Sequence, residues 1–198
     1  MKPLVLASTS PYRKALLEQI GLPFVTATPK FEEIAEPGWT PRETALAFAI
    51  GKARSLGADF SHALIVGSDQ VPALQGRILR KPETEDNAIR QLLELSGQVH
   101  ELITSVALFE PESNRLVHET LVHQMKMRTL TPQQARDYVI RDRPEHCAGS
   151  YRIESLGAAL FESMSGMDHT GIVGLPVSVL GNLMDRLNDN WLSRVLPK

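Results

Sequence analysis

Four sets of side chains in this 198-residue chain could do chemistry together: Ser8, Ser10, Arg13 and Lys14; the pair Glu32-Glu33; Lys52; and Asp69 with Lys81. The first set surrounds Ser10-Pro11, where serine caps a helix and proline takes its first position. A helix start leaves amides unpaired and carries the positive end of the helix dipole, so hydroxyls and cations there suit an anion such as phosphate. Taken alone, the same residues are equally those of an ordinary capped helix with a solvated basic turn. Taken together, the four sets form an inventory for phosphoanhydride hydrolysis. Cations and amides neutralise phosphates, carboxylates hold Mg²⁺ or Mn²⁺ through oxygen, and a strand-end carboxylate can deprotonate a water.

The elements that must position these groups follow from pattern. Leu4-Val5-Leu6-Ala7 is an apolar run of strand length leading into the Ser10-capped helix, which should stop at Gly21. Leu22 to Ala27 reads as a short extended segment ahead of Glu32-Glu33. Thr40-Pro41-Arg42-Glu43 is a capping box opening a helix from Pro41 to about Leu56. Its apolar stripe Ala45, Leu46, Ala49, Ala53 and Leu56 places Lys52 at the edge of the buried face, able to point either way. Ala63 to Gly67 is a second buried strand ending at Ser68-Asp69-Gln70, and open parallel sheets bind ligands beyond such ends.

Further on, Gly76 to Arg80 reads as a short strand or hairpin arm, Lys81-Pro82 as a loop, and Glu85 to Leu95 as a Thr84-capped helix. Glu101 to Phe109 and Arg115 to Met127 should pair as an antiparallel ribbon. Thr131 caps a helix to about Asp142, Gly149 to Phe161 is glycine-punctuated and partly extended, and a terminal helix runs to about Leu187. There is no internal repeat and no linker of the kind that separates autonomous domains, so residues 1–198 are expected to form a single domain.

Composition narrows the partners. A hydrophobic content of 42% and a formal charge of −2, with no Lys/Arg-rich run, argue against a nucleic-acid polymer while leaving room for a small anion. The single cysteine, Cys147, permits no intramolecular disulfide, and no apolar run reaches the ~20 residues that span a bilayer. A cytoplasmic protein without a membrane segment is expected. His146 beside Cys147 could be read as a thiol with its base, but sequence neighbours rarely face each other, and a small buried thiol is the simpler reading. There is neither a glycine-rich phosphate loop ending in Gly-Lys-Ser/Thr nor a helical metal-ligand spacing among the histidines.

The order Leu6-Ala7-Ser8-Thr9-Ser10-Pro11-Tyr12-Arg13, Glu32-Glu33, Lys52-Ala53, Gly67-Ser68-Asp69-Gln70, Arg80-Lys81-Pro82, Cys147-Ala148-Gly149-Ser150-Tyr151 and Gly174-Leu175-Pro176 resembles the Maf family of nucleoside triphosphate pyrophosphatases across nearly the whole chain. The resemblance implies an α/β, inosine-triphosphatase-like fold: a long twisted mixed β-sheet flanked by helices, with two lobes around a nucleotide cleft. It also implies a divalent cation and a possible homodimer. It assigns Asp69 as proton acceptor for the attacking water, Glu33 as a metal carboxylate, and Ser8, Arg13, Lys52 and Lys81 as phosphate contacts. Glu32 either shares the metal or is a solvated neighbour.

Three positions depart from the family branch that hydrolyses dTTP and UTP, in which arginine, threonine and glutamine stand where this chain has Tyr12, Gln70 and Glu154. The three residues resemble those of the branch acting on 7-methyl-GTP. Methylation at N7 makes guanine a delocalised cation, which an aromatic face such as Tyr12 attracts. A carboxylate such as Glu154 can accept from the guanine N1–H and N2 amino edge while offsetting the charge. The expectation is a pyrophosphatase for 7-methyl-GTP, with dTTP, UTP or another modified nucleotide as the alternative substrate and a non-hydrolysing nucleotide-binding regulator of cell division as the alternative class.

Overall fold

A computed structural model describes residues 1–196. Its strands are β1 (Leu4–Ala7), β2 (Val25–Ala27), β3 (Leu64–Leu74), β4 (Arg77–Ile78), β5 (Val99–Glu110), β6 (Arg115–Met127) and β7 (Phe161–Ser165). They form one sheet in the order β2-β1-β3-β5-β6-β7, with β4 paired to β3. β1 runs parallel to β2 and β3, while β4 on β3 and β7 on β6 are antiparallel, so the sheet is mixed. The helices are α1 (Pro11–Gln19), α2 (Pro41–Arg54), α3 (Glu85–Leu95), α4 (Pro132–Asp142), α5 (Thr170–Val173), α6 (Val177–Arg186) and α7 (Leu192–Val195), with a 3-10 helix at Leu156–Leu160.

The described chain forms two compact units, one of residues 1–70, 104–121 and 168–196, the other of residues 71–103 and 122–167. In the first unit the alternation of strand side chains builds two cores. Leu4 and Leu6 of β1 and Leu64 and Val66 of β3 face Leu17 of α1 and Leu180, Leu183 and Met184 of α6. Val5, Ala7 and Ile65 point the other way, onto Ala49 and Ala53 of α2. Strands covered on both faces are what produce continuous apolar runs in the sequence. In the second unit α3 packs against α4. Each of these two helices opens on a threonine whose side chain accepts from a first-turn amide, Thr84 from Asn87 and Thr131 from Gln134.

Several elements differ from the sequence reading. β3 does not end at Ser68-Asp69-Gln70 but continues to Leu74, so Asp69 lies in mid-strand. The polar triplet stays inside because partners from the same unit satisfy it, rather than because the strand has reached solvent. Gly149 to Phe161 is largely irregular and then 3-10 helical, and the extended strand follows it, at β7. The glycine at 157, seated where a Cβ would strike the Arg152 carbonyl, favours a tight turn over a strand. Among the described residues no helix is long and apolar enough to cross a membrane.

Candidate active site

At the start of α1, Ser10 takes the cap and its side chain accepts from the Arg13 amide, with Pro11 at the first helical position. Ser8 Oγ accepts from the Ser10 amide at 3.1 Å and from Arg13 Nη1 at 3.4 Å. No acidic residue occupies the first turn of α1, which leaves its positive end uncompensated by the chain. Beside it lies a hollow of about 280 Å³, bounded by Ser8, Thr9, Ser10, Pro11 and Lys14 on one side and Thr26 to Thr28 on the other. Hydroxyls, a lysine and helix-start amides around an open hollow are chemistry that suits an anion such as phosphate.

In the same unit two carboxylates meet one ammonium, within electrostatic reach of Arg13. Lys52 Nζ lies 2.6 Å from Asp69 Oδ1 and 2.6 Å from Glu33 Oε1. The lysine and aspartate side chains are 8% and 10% exposed, whereas Glu33 is 52% exposed, so the pair is buried from one side only. Helix α2 brings Lys52 to β3 because Gly67 lets the two backbones touch. A Cβ at that position would sit 2.1 Å from the Ala49 carbonyl oxygen and 2.7 Å from the Ala53 amide. Glu33 is brought in by its own segment. Phe31 lies over Gly51, where a Cβ would meet its ring at 2.2 Å, and packs edge-on against Phe48 with centroids 5.8 Å apart.

Burial pushes the Asp69 carboxyl above its ordinary range, with Glu33 adding to the rise and Lys52 and Arg13 opposing it. A carboxylate raised this way is a better proton acceptor near neutral pH than a solvated one. The acid limb of the pH–rate profile is therefore expected to lie above the usual carboxylate value of about 4, with rate lost as falling pH protonates Asp69. Replacing the lysine by glutamine (Lys52→Gln) removes the strongest lowering influence and should move that limb further up. A pH profile of kcat/KM for the two proteins checks both statements, and a limb that moves down contradicts them.

A third cluster closes the site from the other side of β3. Arg13 Nε donates to the Gly174 carbonyl at 2.8 Å, and the Ser68 hydroxyl lies 2.8 Å from the same carbonyl and 2.9 Å from that of Ser105. Gln70 Nε2 is held by Thr104 Oγ1 at 3.0 Å and by the Gly171 and Ile172 carbonyls at 2.8 and 3.1 Å. The short helix α5 thus gathers Arg13, Ser68 and Gln70 on its carbonyls. Its end needs glycine, since Gly174 has φ +112°. Asp168 anchors it, one oxygen accepting from the Thr170 amide and hydroxyl and the other from those of Ser178. Burial opposes the charge of Asp168, but these four bonds outweigh it and hold the carboxyl below its ordinary value.

The first unit therefore brings together Ser8, Arg13, Glu33, Lys52, Asp69 and Gln70. Tyr12 stands half-buried on the first turn of α1, and Glu32 is exposed one residue before Glu33, which is the one that meets Lys52. Lys81 and Glu154 belong to the second unit. Lys81 is exposed in the loop before α3, and both residues act electrostatically on Cys147, together with Arg152. Burial raises the Cys147 thiol and Glu154 reinforces the rise, the opposite of what a nucleophilic thiol needs. Thr104, Asp168 and Thr170 escaped the sequence reading. Their signals were a Thr-Ser pair inside an apolar strand and an Asp-x-Thr ahead of a short helix.

Among the described residues no group of three or more His, Cys, Asp or Glu could hold a metal ion. The charge between Glu33 and Asp69 is supplied by the Lys52 ammonium. Glu33, half exposed, is a carboxylate of the kind that suits a hard divalent cation drawing its remaining ligands from water and substrate phosphates.

A helix start free of acidic residues and a raised carboxylate beside cations are chemistry that suits hydrolysis of a phosphate ester or anhydride. The chain matches the family described as "Maf-like protein" over residues 3–187. It is 39% identical over 178 residues to a protein of Syntrophotalea carbinolica named 7-methyl-GTP pyrophosphatase, covering 89% of this chain and 90% of that one. It is 42% identical over 176 residues to a protein of the same name from a Polaromonas species, covering 89% and 80%. The chain belongs to the Maf family, a family of nucleoside triphosphate pyrophosphatases.

Proposed function

We propose that this protein hydrolyses 7-methyl-GTP to 7-methyl-GMP and pyrophosphate, clearing a modified nucleotide from the cytoplasm. The observation that carries the chemistry is Asp69, raised by burial and held at 2.6 Å by Lys52 within the unit that holds the α1 phosphate seat. Lys52 engages Asp69 Oδ1, which leaves Oδ2 to accept a proton from water. The water oxygen attacks the α-phosphorus, the bond to the bridging oxygen of the β-phosphate breaks, and pyrophosphate leaves with that oxygen. Ser8 in the turn before α1, Arg13 on α1 and Lys52 on α2 stabilise phosphate charge, and Lys81 joins them on the strength of its Arg80-Lys81-Pro82 motif. Glu33 would hold a Mg²⁺ or Mn²⁺ ion, which when bound would supply charge neutralisation for the phosphates. Glu32 is read as its solvated neighbour.

The choice of base rests on the names of the two relatives and on Tyr12, Gln70 and Glu154. The Gln70 amide nitrogen is committed to the α5 carbonyls and Thr104, so its oxygen is the end left to read a donor. Tyr12 offers a face to a cationic base, and Glu154 a charged acceptor for its N1–H and N2 edge. Replacing that carboxylate by an amide (Glu154→Gln) should lower the ratio of kcat/KM for 7-methyl-GTP over GTP by about tenfold, the worth of one charge-assisted hydrogen bond. An unchanged ratio would mean that the base is read elsewhere. Hydrolysis in heavy-oxygen water tests the site of attack, with the label expected in the monophosphate; label in pyrophosphate would place attack at the β-phosphorus.

Each of the two units is assembled from separate stretches of chain, which supports reading residues 1–198 as one domain.

A further inference from the structure

We infer that the last turn of α4 is the mount of Glu154, with Tyr138 and Asp142 acting as positioning residues that hold the backbone on both sides of that carboxylate and so set discrimination for a cationic base. The inference rests on the reading of Glu154 as the group that meets the base.

Glu154 lies in an irregular stretch between Tyr151 and the 3-10 helix, where no sheet ladder fixes the backbone. Its neighbours are fixed instead. The Arg152 amide donates to Tyr138 Oη at 3.0 Å, and Arg152 Nη1 donates to the Asp142 carbonyl at 3.0 Å. On the far side, Ser155 Oγ donates to Asp142 Oδ1 at 2.5 Å. Tyr138 Oη closes the set by donating to Asp142 Oδ2 at 2.7 Å. One phenol and one carboxylate, one helical turn apart, thus hold residues 152 and 155 with Glu154 between them.

The turn is also tied to itself. The Ser155 and Gly157 amides both donate to the Arg152 carbonyl, at 3.1 and 2.9 Å. Asp142 is 4% exposed, so its two oxygens are satisfied by Tyr138 and Ser155 rather than by solvent, and removing either partner strands a buried acceptor. Burial, and then the bond to Asp142, push the Tyr138 hydroxyl above its ordinary value, so it remains a donor at any working pH. Arg152 Nε lies 3.8 Å from Glu154 Oε1, near enough to orient the carboxylate without sealing both of its oxygens. A carboxylate that must meet two donors on one base edge gains from being held still, and a displacement of about 1 Å can cost a large factor in rate. The loss falls hardest on the cationic base, because it alone also uses the charge.

Tyr138→Phe removes the hydroxyl that both Asp142 and the Arg152 amide use. It should lower the 7-methyl-GTP over GTP ratio of kcat/KM by about threefold to tenfold, with the loss in KM. Ser155→Ala removes one donor only and should act in the same direction with a smaller effect. It reads the same quantity should Tyr138→Phe fail to fold. In a Glu154→Gln background neither substitution should lower the ratio further, since both act through that carboxylate. If Glu154→Gln lowers the ratio while Tyr138→Phe and Ser155→Ala leave it unchanged, or if their effects add to it, the mount is refuted and the proposed function stands. If Glu154→Gln leaves the ratio unchanged, the reading of Glu154 falls and the mount falls with it.

Discussion

Replacing Asp69 by asparagine (Asp69→Asn) is expected to lower kcat by about 10³-fold, within the span that removal of a general base produces, while nucleotide affinity stays within severalfold. Asparagine keeps the shape but cannot take a proton from water. Its side chain can still accept from Lys52, so the seat for phosphate survives. The contrast matters because Asp69 is also half of a buried ion pair, and a merely structural role would show as lost binding or lost fold. Single-turnover kinetics beside equilibrium binding separates the two, and a retained kcat removes Asp69 from the chemistry.

Adding one methyl group at position 67 (Gly67→Ala) is expected to destabilise the fold by about 3 kcal/mol, the upper range for overpacking, and to lower activity in the fraction that folds. The added carbon would meet backbone atoms, the Ala49 carbonyl at 2.1 Å and the Ala53 amide at 2.7 Å, and backbone cannot rotate away as a side chain can. The first unit can accept it only by moving α2 off β3, which separates Lys52 from Asp69. Denaturant unfolding gives the stability change, and activity per folded molecule gives the second. A variant as stable and active as the parent would show that the close approach of helix and strand is dispensable.

The residues that carry charge were legible in the sequence, and the residues that place them largely were not. Ser10-Pro11 and Thr40-Pro41 announced α1 and α2 because a cap is a local hydrogen bond between residues three apart. Lys52 could have turned either way on its helix. Only the packing of α2 on β3 decides that it turns inward, and that depends on a glycine fifteen residues later in the chain. The sequence puts Asp69 at a strand end because a polar triplet ordinarily ends a buried run. Here partners from β5 and α5, far along the sequence, absorb Ser68 and Gln70, and the strand continues. Asp168 was missed for the same reason: its four partners are nearby in sequence, but its importance lies in the carbonyls of α5, which reach Arg13 and Gln70 across more than a hundred residues.

The most direct test of the central claim is pyrophosphate release by the purified protein with Mg²⁺ or Mn²⁺, measured side by side on 7-methyl-GTP, GTP, dTTP, UTP and CTP. Preferential release from 7-methyl-GTP is the predicted result, because of the five only that base carries a fixed positive charge. Preference for a pyrimidine would keep the hydrolase and contradict the base reading, and binding without release from any of the five would contradict the catalytic account and leave a nucleotide-binding regulator.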